Sequence, residues 1–381
     1  MTTDSTYTTA LYIHIPWCVR KCPYCDFNSH TAGRNSPEIA YVQALLTELE
    51  QRQQEFGISG FSSIFFGGGT PSLFSAASIA ALLEGADSRV GVTNNAEITL
   101  EANPGSSDSG RFRSYRDAGV NRLSIGVQSF NDRHLQALGR IHTAAQARQA
   151  VLAAQAAGFS RLNLDLMYGL PQQTTGESRS DLQQATTLSP SHLSLYQLTI
   201  EPHTLFHAQP PRLPQEDTLA LMEQQLQTIL PAAGYERYEV SAYAQPGERC
   251  RHNLNYWQFG DYLGLGAGAH SKLTADHRYH RLWNCKHPTD YIEQATNGAV
   301  TSGRSRLKQE DLITEFAINA LRLTEGFRLQ EFTDRTGLPE HCIRAPVDEG
   351  LRRGWLQSDG QCIKTTAQGY RLLNSVLELF L

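Results

Sequence analysis

The chain has 381 residues, 40% of them hydrophobic and 19% charged, with a formal net charge of −5, enough for one large core and a smaller appended unit. The acidic balance leaves no excess of Lys and Arg to hold a nucleic-acid backbone or an anionic membrane. No basic leader precedes a long apolar run, and no stretch reaches the roughly 18 apolar residues of a membrane span, so a cytoplasmic protein with no nucleic-acid partner and no membrane span is expected.

Between residues 11 and 198, short runs rich in β-branched residues alternate with helical patterns. The strand runs are LYIHI (11–15), SIFF (63–66), EITLE (97–101), RLSIGV (122–127), RLNLDLM (161–167) and HLSLYQL (192–198). Helical periodicity fills 38–52, 76–85 and 144–158. Parallel strands need crossover connections, and helices between strands supply them. The pattern predicts an α/β fold, a partial (β/α)6 barrel of the TIM type. In such barrels chemistry gathers at the C-terminal strand ends, where the unusual residues fall: Cys18 to Cys25, GGGTP (67–71), EANP (101–104), VQSF (127–130) and DLMYGLP (165–171).

Four prolines in 201–215 break the repeat and read as a linker or lid. A helix over 216–232 follows, then mixed strands and the segment GDYLGLGAGAH (260–270), which reads as a flexible Gly-rich turn. Helices over 309–323, 328–336 and 340–353, a two-strand wing over 354–366 and a last helix over 367–380 predict a smaller C-terminal α+β domain of winged-helix type. The predicted domains are 1–215 (the barrel), 216–308 (a mixed α/β extension) and 309–381 (the winged-helix-like domain). Residues 311–381 carry eight Lys and Arg against ten Asp and Glu, a poor balance for phosphate contacts; a packing or partner-docking role is expected instead.

Seven cysteines stand at 18, 22, 25, 250, 285, 342 and 362. An odd number with three crowded into eight residues is not a disulfide framework. Cys18-Val19-Arg20-Lys21-Cys22-Pro23-Tyr24-Cys25 has the spacing C-x3-C-x2-C, which lets three thiolates wrap three corners of a cubane cluster and leaves the fourth iron open. The plainer alternative is structural zinc, with His14 or His30 as fourth ligand.

C-x3-C-x2-C with an aromatic before the last Cys, set after the first strand of a βα repeat, resembles the radical S-adenosylmethionine superfamily. The resemblance implies a [4Fe–4S] cluster on Cys18, Cys22 and Cys25. S-adenosyl-L-methionine then chelates the open iron and is cleaved reductively to a 5′-deoxyadenosyl radical. Within the superfamily the chain is similar to the oxygen-independent coproporphyrinogen III oxidases and the HemW-type haem chaperones, through YIHIPWC, FGGGTPS, EANP, GVQSF, LGRIH and NLDLMYGLP, over nearly its whole length. Carried over by position, these motifs imply that Tyr12, Tyr24, Gly68, Gly69, Thr70, Glu101, Gln128, Arg140 and Asp165 surround S-adenosylmethionine. The residue types fit such a ligand, since carboxylates accept from ribose hydroxyls or an ammonium, and a guanidinium meets a carboxylate.

The resemblance leaves two functions: oxidative decarboxylation of coproporphyrinogen III, or binding haem and passing it to acceptor haem proteins. The oxidase pattern carries a further Cys two positions after the third and an N-terminal extension. Here Cys25-Asp26-Phe27 follows, and the first strand starts near residue 11. Arg251-His252-Asn253-Leu254-Asn255-Tyr256-Trp257 matches the HNxxYW motif of the chaperone branch, which implies haem-binding roles for Arg251, His252, Asn253, Tyr256 and Trp257, with Cys250 as a competing ligand. The haem-chaperone reading is favoured; catalytic residues are unassigned. Haem is then the cargo, its acceptors soluble or membrane-bound, with transient membrane association and a homodimer both compatible.

Overall fold

The computed structural model describes residues 9–33, 36–106 and 109–381. The six strand runs form β1 (Thr9–Ile15), β2 (Phe61–Gly68), β3 (Val92–Ala102), β4 (Arg122–Gln128), β5 (Arg161–Tyr168) and β6 (His192–Gln197), which lie side by side in chain order and all parallel. In β4 six consecutive residues are buried, as happens when helices cover one face of a parallel strand and the sheet curls over the other. Helices α1 (Glu38–Phe56), α2 (Ala76–Arg89), α3 (Ser109–Asp117), α4 (Ala144–Ala156) and α5 (Thr175–Thr187) make the crossovers. Capping boxes at Thr143/Gln146 and Thr174/Glu177 start α4 and α5 by satisfying their first amides.

The sheet is wider than the six predicted strands. After α6 (Glu216–Ala232), β7 (Ala242–Ala244) adds antiparallel to β6. Helix α7 (Arg251–Trp257) leads to β8 (Tyr262–Leu265), which pairs parallel with β1 on its other side. Strands β9 (His270–Ala275), β10 (Arg278–Asn284) and β11 (Thr301–Arg306) extend that edge antiparallel. With the short strand Glu236–Arg237 beside β7, the sheet has twelve strands, and no pairing joins its edges among the described residues.

The expectation of a flexible turn at 260–270 is overturned, because Tyr262–Leu265 is an interior strand. Its glycines serve close approach, not mobility: a Cβ on Gly264 would lie 2.1 Å from the His270 carbonyl oxygen, and one on Gly266 (φ +105°) would lie 2.6 Å from that of His14.

One apolar core runs from Leu11 to Val300. A second joins Phe259 to residues 312–380, where α8 (Gln309–Ala320), α9 (Leu329–Thr336) and α10 (His341–Arg352) pack with a small sheet of β12 (Phe327–Arg328), β13 (Leu356–Ser358) and β14 (Cys362–Thr365). This is the predicted small α+β domain with its wing. The expected last helix is broken into Ala367–Arg371, Leu373–Leu377 and a 3-10 turn over Glu378–Phe380. Among the described residues no helix is long and apolar enough to cross a membrane.

Candidate functional site

At the C-terminal ends of the parallel strands the chain folds the cysteine loop back on β1. Trp17–Cys18 pairs with His30–Thr31, and the Cys25 amide donates to the Cys22 carbonyl at 3.2 Å. The 201–215 segment lies on this loop, its Phe206 amide donating to the Pro23 carbonyl at 2.9 Å. The glycine loop packs beneath it: Gly69 and Thr70 amides donate to Ile15 and Trp17 carbonyls, both at 2.8 Å. A Cβ on Gly69 would lie 2.5 Å from the Trp17 oxygen, and one on Gly68 (φ +113°) 2.6 Å from the His14 ring. Only glycine lets the two loops approach this closely.

Together they wall a cavity of about 380 Å³. Cys18, Cys22 and Cys25 line it, as do Tyr24, Gly68, Gly69, Thr70, Glu101, Gln128, Arg140 and Asp165, so eight of the nine residues carried over for S-adenosylmethionine converge. Tyr12 does not line it. Its ring lies under Gly67 and its hydroxyl meets His14 Nδ1 at 3.0 Å. Arg140 spans one wall, donating to Asn103 Oδ1 at 2.5 Å and the Gly126 carbonyl at 3.0 Å, with Nη1 3.6 Å from Cys22 Sγ. Glu101 accepts from the Gly68 amide at 3.3 Å, and Asp165 from Ser124 Oγ at 3.0 Å and Asn163 at 2.8 Å. Gln128 ends β4 with φ +65°, a left-handed backbone that a non-glycine residue keeps only under local compulsion.

The electrostatics call for a positive guest. Burial, then the Asp165 charge, pushes Glu101 up to about 8; burial also raises Asp165, against its hydrogen bonds. Burial raises Cys18 and Cys25, and each nearby thiolate adds to the rise. Three thiols beside two buried carboxylates suit iron ions with a sulfonium or ammonium. His14, one of the two alternative zinc ligands, is committed to Tyr12 and to the Asn28 carbonyl at 2.8 Å.

Sequence reasoning passed over Asn103, Ser124 and Tyr196, which also line the cavity. Asn103 sits inside EANP and was within reach; Ser124 and Tyr196 follow from strand alternation once the inward faces of β4 and β6 are fixed.

The 251–257 helix lies at the opposite end of the strands. Glu97, four residues before Glu101 on β3 and so about 13 Å away along the strand, holds its N-terminus. Glu97 accepts from the amides of Arg251 at 3.1 Å and His252 at 3.0 Å, and pairs with Arg161 at 2.9 Å. His252 is not at the surface. Only 1% exposed, it meets Ser63 Oγ at 2.9 Å and stacks on Phe65, and burial pushes it down to about 3, so the imidazole is neutral. Its Nε2 is buried with no hydrogen-bond partner. Cys250 is wholly buried and pushed up to about 12 by that burial, a thiol and not a competing thiolate. Arg251 is exposed and Asn253 half-buried. Tyr256 packs on Tyr262 at 4.4 Å, and Trp257 lies under the Arg322 guanidinium at 4.3 Å. The motif is therefore divided between the barrel interior and the joint with the C-terminal domain.

Comparison with known proteins agrees with this architecture. Residues 12–183 match the radical SAM superfamily model and residues 307–372 the HemN C-terminal domain. The haem chaperone HemW of Haemophilus influenzae is 48% identical over 98% of this chain and 97% of its own, and that of Escherichia coli 47% identical over 98% of each. The mouse mitochondrial radical S-adenosyl methionine domain-containing protein 1 is 36% identical over 97% of this chain and 86% of its own. The solved structure of E. coli coproporphyrinogen III oxidase (HemN) superposes with a TM-score of 0.83 at 24% identity, covering 98% of this chain and 90% of that one. With the cysteine loop, the glycine loop and both domains in place, the chain belongs to the HemW family of the radical S-adenosylmethionine superfamily.

Proposed function

We propose that this chain is a haem chaperone that binds haem near the 251–257 helix and passes it to acceptor haem proteins, soluble or membrane-bound. The observation that carries the reading is the HNxxYW stretch, held as an aromatic-rich helix at the base of the sheet in a chain similar to HemW proteins from end to end. Phe27, where the oxidase pattern has its further cysteine, weighs against coproporphyrinogen III decarboxylation.

Cys18, Cys22 and Cys25 would hold the [4Fe–4S] cluster; Glu101, Asp165, Arg140, Gln128, Thr70, Gly68 and Gly69 would hold S-adenosylmethionine, with Tyr24 at the wall and Tyr12 supporting the glycine loop from below. When bound, the pair supplies low-potential one-electron chemistry. The protein's own part is to orient: the glycine loop offers backbone groups at close range, Glu101 and Asp165 take the cationic and hydroxyl groups, and Arg140 fixes Asn103 against the cysteine loop. In the same reading the protein works in the cytoplasm, meets membranes only through its acceptors, and is compatible with a homodimer.

An anaerobic titration of the cluster-reconstituted protein with haem, followed by absorption and then by transfer to an apo-haem protein, tests the reading. Saturation near one haem per chain with transfer is expected. No saturable binding, together with turnover of coproporphyrinogen III, overturns it.

A further inference from the structure

Beneath the floor of the cofactor cavity the sheet interior is polar. Strand register sets Ser124 of β4 beside Asn163 of β5, and Asn163 beside His192 of β6, one layer below the Asp165 and Ser194 pair. Ser124, Asn163 and His192 are buried, at a depth that parallel barrels fill mostly with branched apolar side chains. Polar groups buried there must satisfy one another.

Their hydrogen bonds run in one direction. Asn163 Nδ2 donates to Asp165 Oδ1 and to Ser124 Oγ, both at 2.8 Å, and Ser124 Oγ donates to Asp165 Oδ2 at 3.0 Å. A carboxylate only accepts, so the amide nitrogen of Asn163, and not its oxygen, must face it. Asn163 Oδ1 is thereby turned to His192 Nδ1 at 2.6 Å, and Nδ1 carries the imidazole proton. Nε2 is then the bare nitrogen and accepts from the Tyr238 hydroxyl at 2.8 Å. That hydroxyl accepts in turn from the Cys250 amide at 3.3 Å, while the Tyr238 carbonyl accepts from the Thr324 amide at 3.0 Å. An amide that can only donate stands at one end of the series and a carboxylate at the other, so no member can reverse alone. Bonds aligned in this way polarise one another.

We infer that His192 is a positioning residue for Asp165: its Nδ1–H locks the Asn163 amide with the nitrogen towards the carboxylate and so keeps Asp165 in place as an acceptor for S-adenosylmethionine. The inference rests on the S-adenosylmethionine reading of the cavity and deepens it. Ser194 Oγ also donates to Asn163 Oδ1, at 3.0 Å, but a hydroxyl can rotate and accept instead, so it does not choose between the two orientations of the amide. The imidazole, held from behind by Tyr238, does. His192 lies outside the cavity lining and acts only through its neighbour.

The test is the S-adenosylmethionine affinity of the full-length, cluster-reconstituted protein under anaerobic conditions. It is measured by equilibrium dialysis for the wild type, His192→Phe, Tyr238→Phe, Asp165→Asn and the His192→Phe, Asp165→Asn double variant. His192→Phe should weaken binding about tenfold and Tyr238→Phe about threefold. With Asp165→Asn already present, His192→Phe should change affinity by less than about twofold, because a residue that acts through Asp165 has nothing left to act on. Nitrogen-15 NMR of histidine-labelled wild type reads the tautomer directly, His192 being the ring whose signals Tyr238→Phe displaces. It should carry its proton on Nδ1, a readout that stands even if His192→Phe does not fold. Unchanged affinity in His192→Phe, an equal drop in both backgrounds, or a proton on Nε2 overturns the positioning role and leaves the cofactor reading intact. No binding of S-adenosylmethionine by the wild type overturns both.

Discussion

Two carboxylates on one strand, Glu97 and Glu101, show how surroundings alone set a residue's chemistry. For Glu97 burial works to raise the pKa, but Arg122, the His252 amide, Arg161 and the Arg251 amide together bring it below the ordinary value. It is therefore charged in the folded protein, and its stabilisation, present above the unfolded pKa, is lost as pH falls through the folded one. Glu97→Ala leaves Arg122 and Arg161 without their buried partner and should cost about 3–5 kcal/mol, seen as a lowered denaturant midpoint. Glu101 runs the other way. Pushed up to about 8, it binds a proton in the folded state that the unfolded chain has released, so stability falls as pH rises from about 4.5 towards 8. Glu101→Gln removes that loss; without cofactor it should gain about 3–4 kcal/mol of stability on the wild type at pH 8 relative to pH 5, while binding S-adenosylmethionine more weakly. Equal pH profiles would show that the carboxyl is ionised throughout. Glu101 was legible because EANP marks it. Glu97 was legible in principle: a second inward carboxylate on a buried strand demands a partner, and Arg122 stands at the head of RLSIGV.

At the scale of elements, what decides the site is how closely loops pack, which a linear pattern does not display. The order of strands and the loops that meet at the mouth could be read from alternation and spacing, because βα connectivity leaves few alternatives. The insertion of Tyr262–Leu265 beside β1 could not, since its glycines look the same whether they loosen a turn or let two backbones touch. The GGGTP loop carries the testable case. Gly69→Ala places a methyl group 2.5 Å from the Trp17 carbonyl oxygen, backbone that cannot swing away as a side chain would. Trp17 and Cys18 must then shift together, and the variant should fold yet hold markedly less iron and sulfide after anaerobic reconstitution. Full cluster content in Gly69→Ala would mean that this approach is not what places Cys18. The RHNLNYW stretch was likewise readable as a unit but not as a divided one, because neither the burial of His252 nor the outward turn of Trp257 follows from spacing without the neighbouring strands.

Across the whole molecule, two apolar cores meet at a joint built mainly from polar contacts. Arg322 donates to Glu239 at 3.1 Å, Arg249 to Glu325 at 2.7 Å, the Thr324 amide to the Tyr238 carbonyl at 3.0 Å, and Arg281 pairs with Glu315. The apolar plug is Phe259, in the turn between α7 and β8, which joins the C-terminal core and lies 5.9 Å from Phe316. Polar joints of this kind are weaker than cores and permit relative movement. Arg322 is the contact on which the joint most depends, since it also covers Trp257 and its partner Glu239 is only 3% exposed. Glu239 keeps its bonds from the Ser241 amide and hydroxyl, so Arg322→Ala should not unfold the barrel. It should cost about 1–3 kcal/mol at the joint. In hydrogen exchange, amides of α8 and α9 should lose protection first, while those of β2 to β5 exchange as in the wild type. A loss of protection in β2 to β5 equal to that in α8 and α9 would mean that the two cores unfold as one unit.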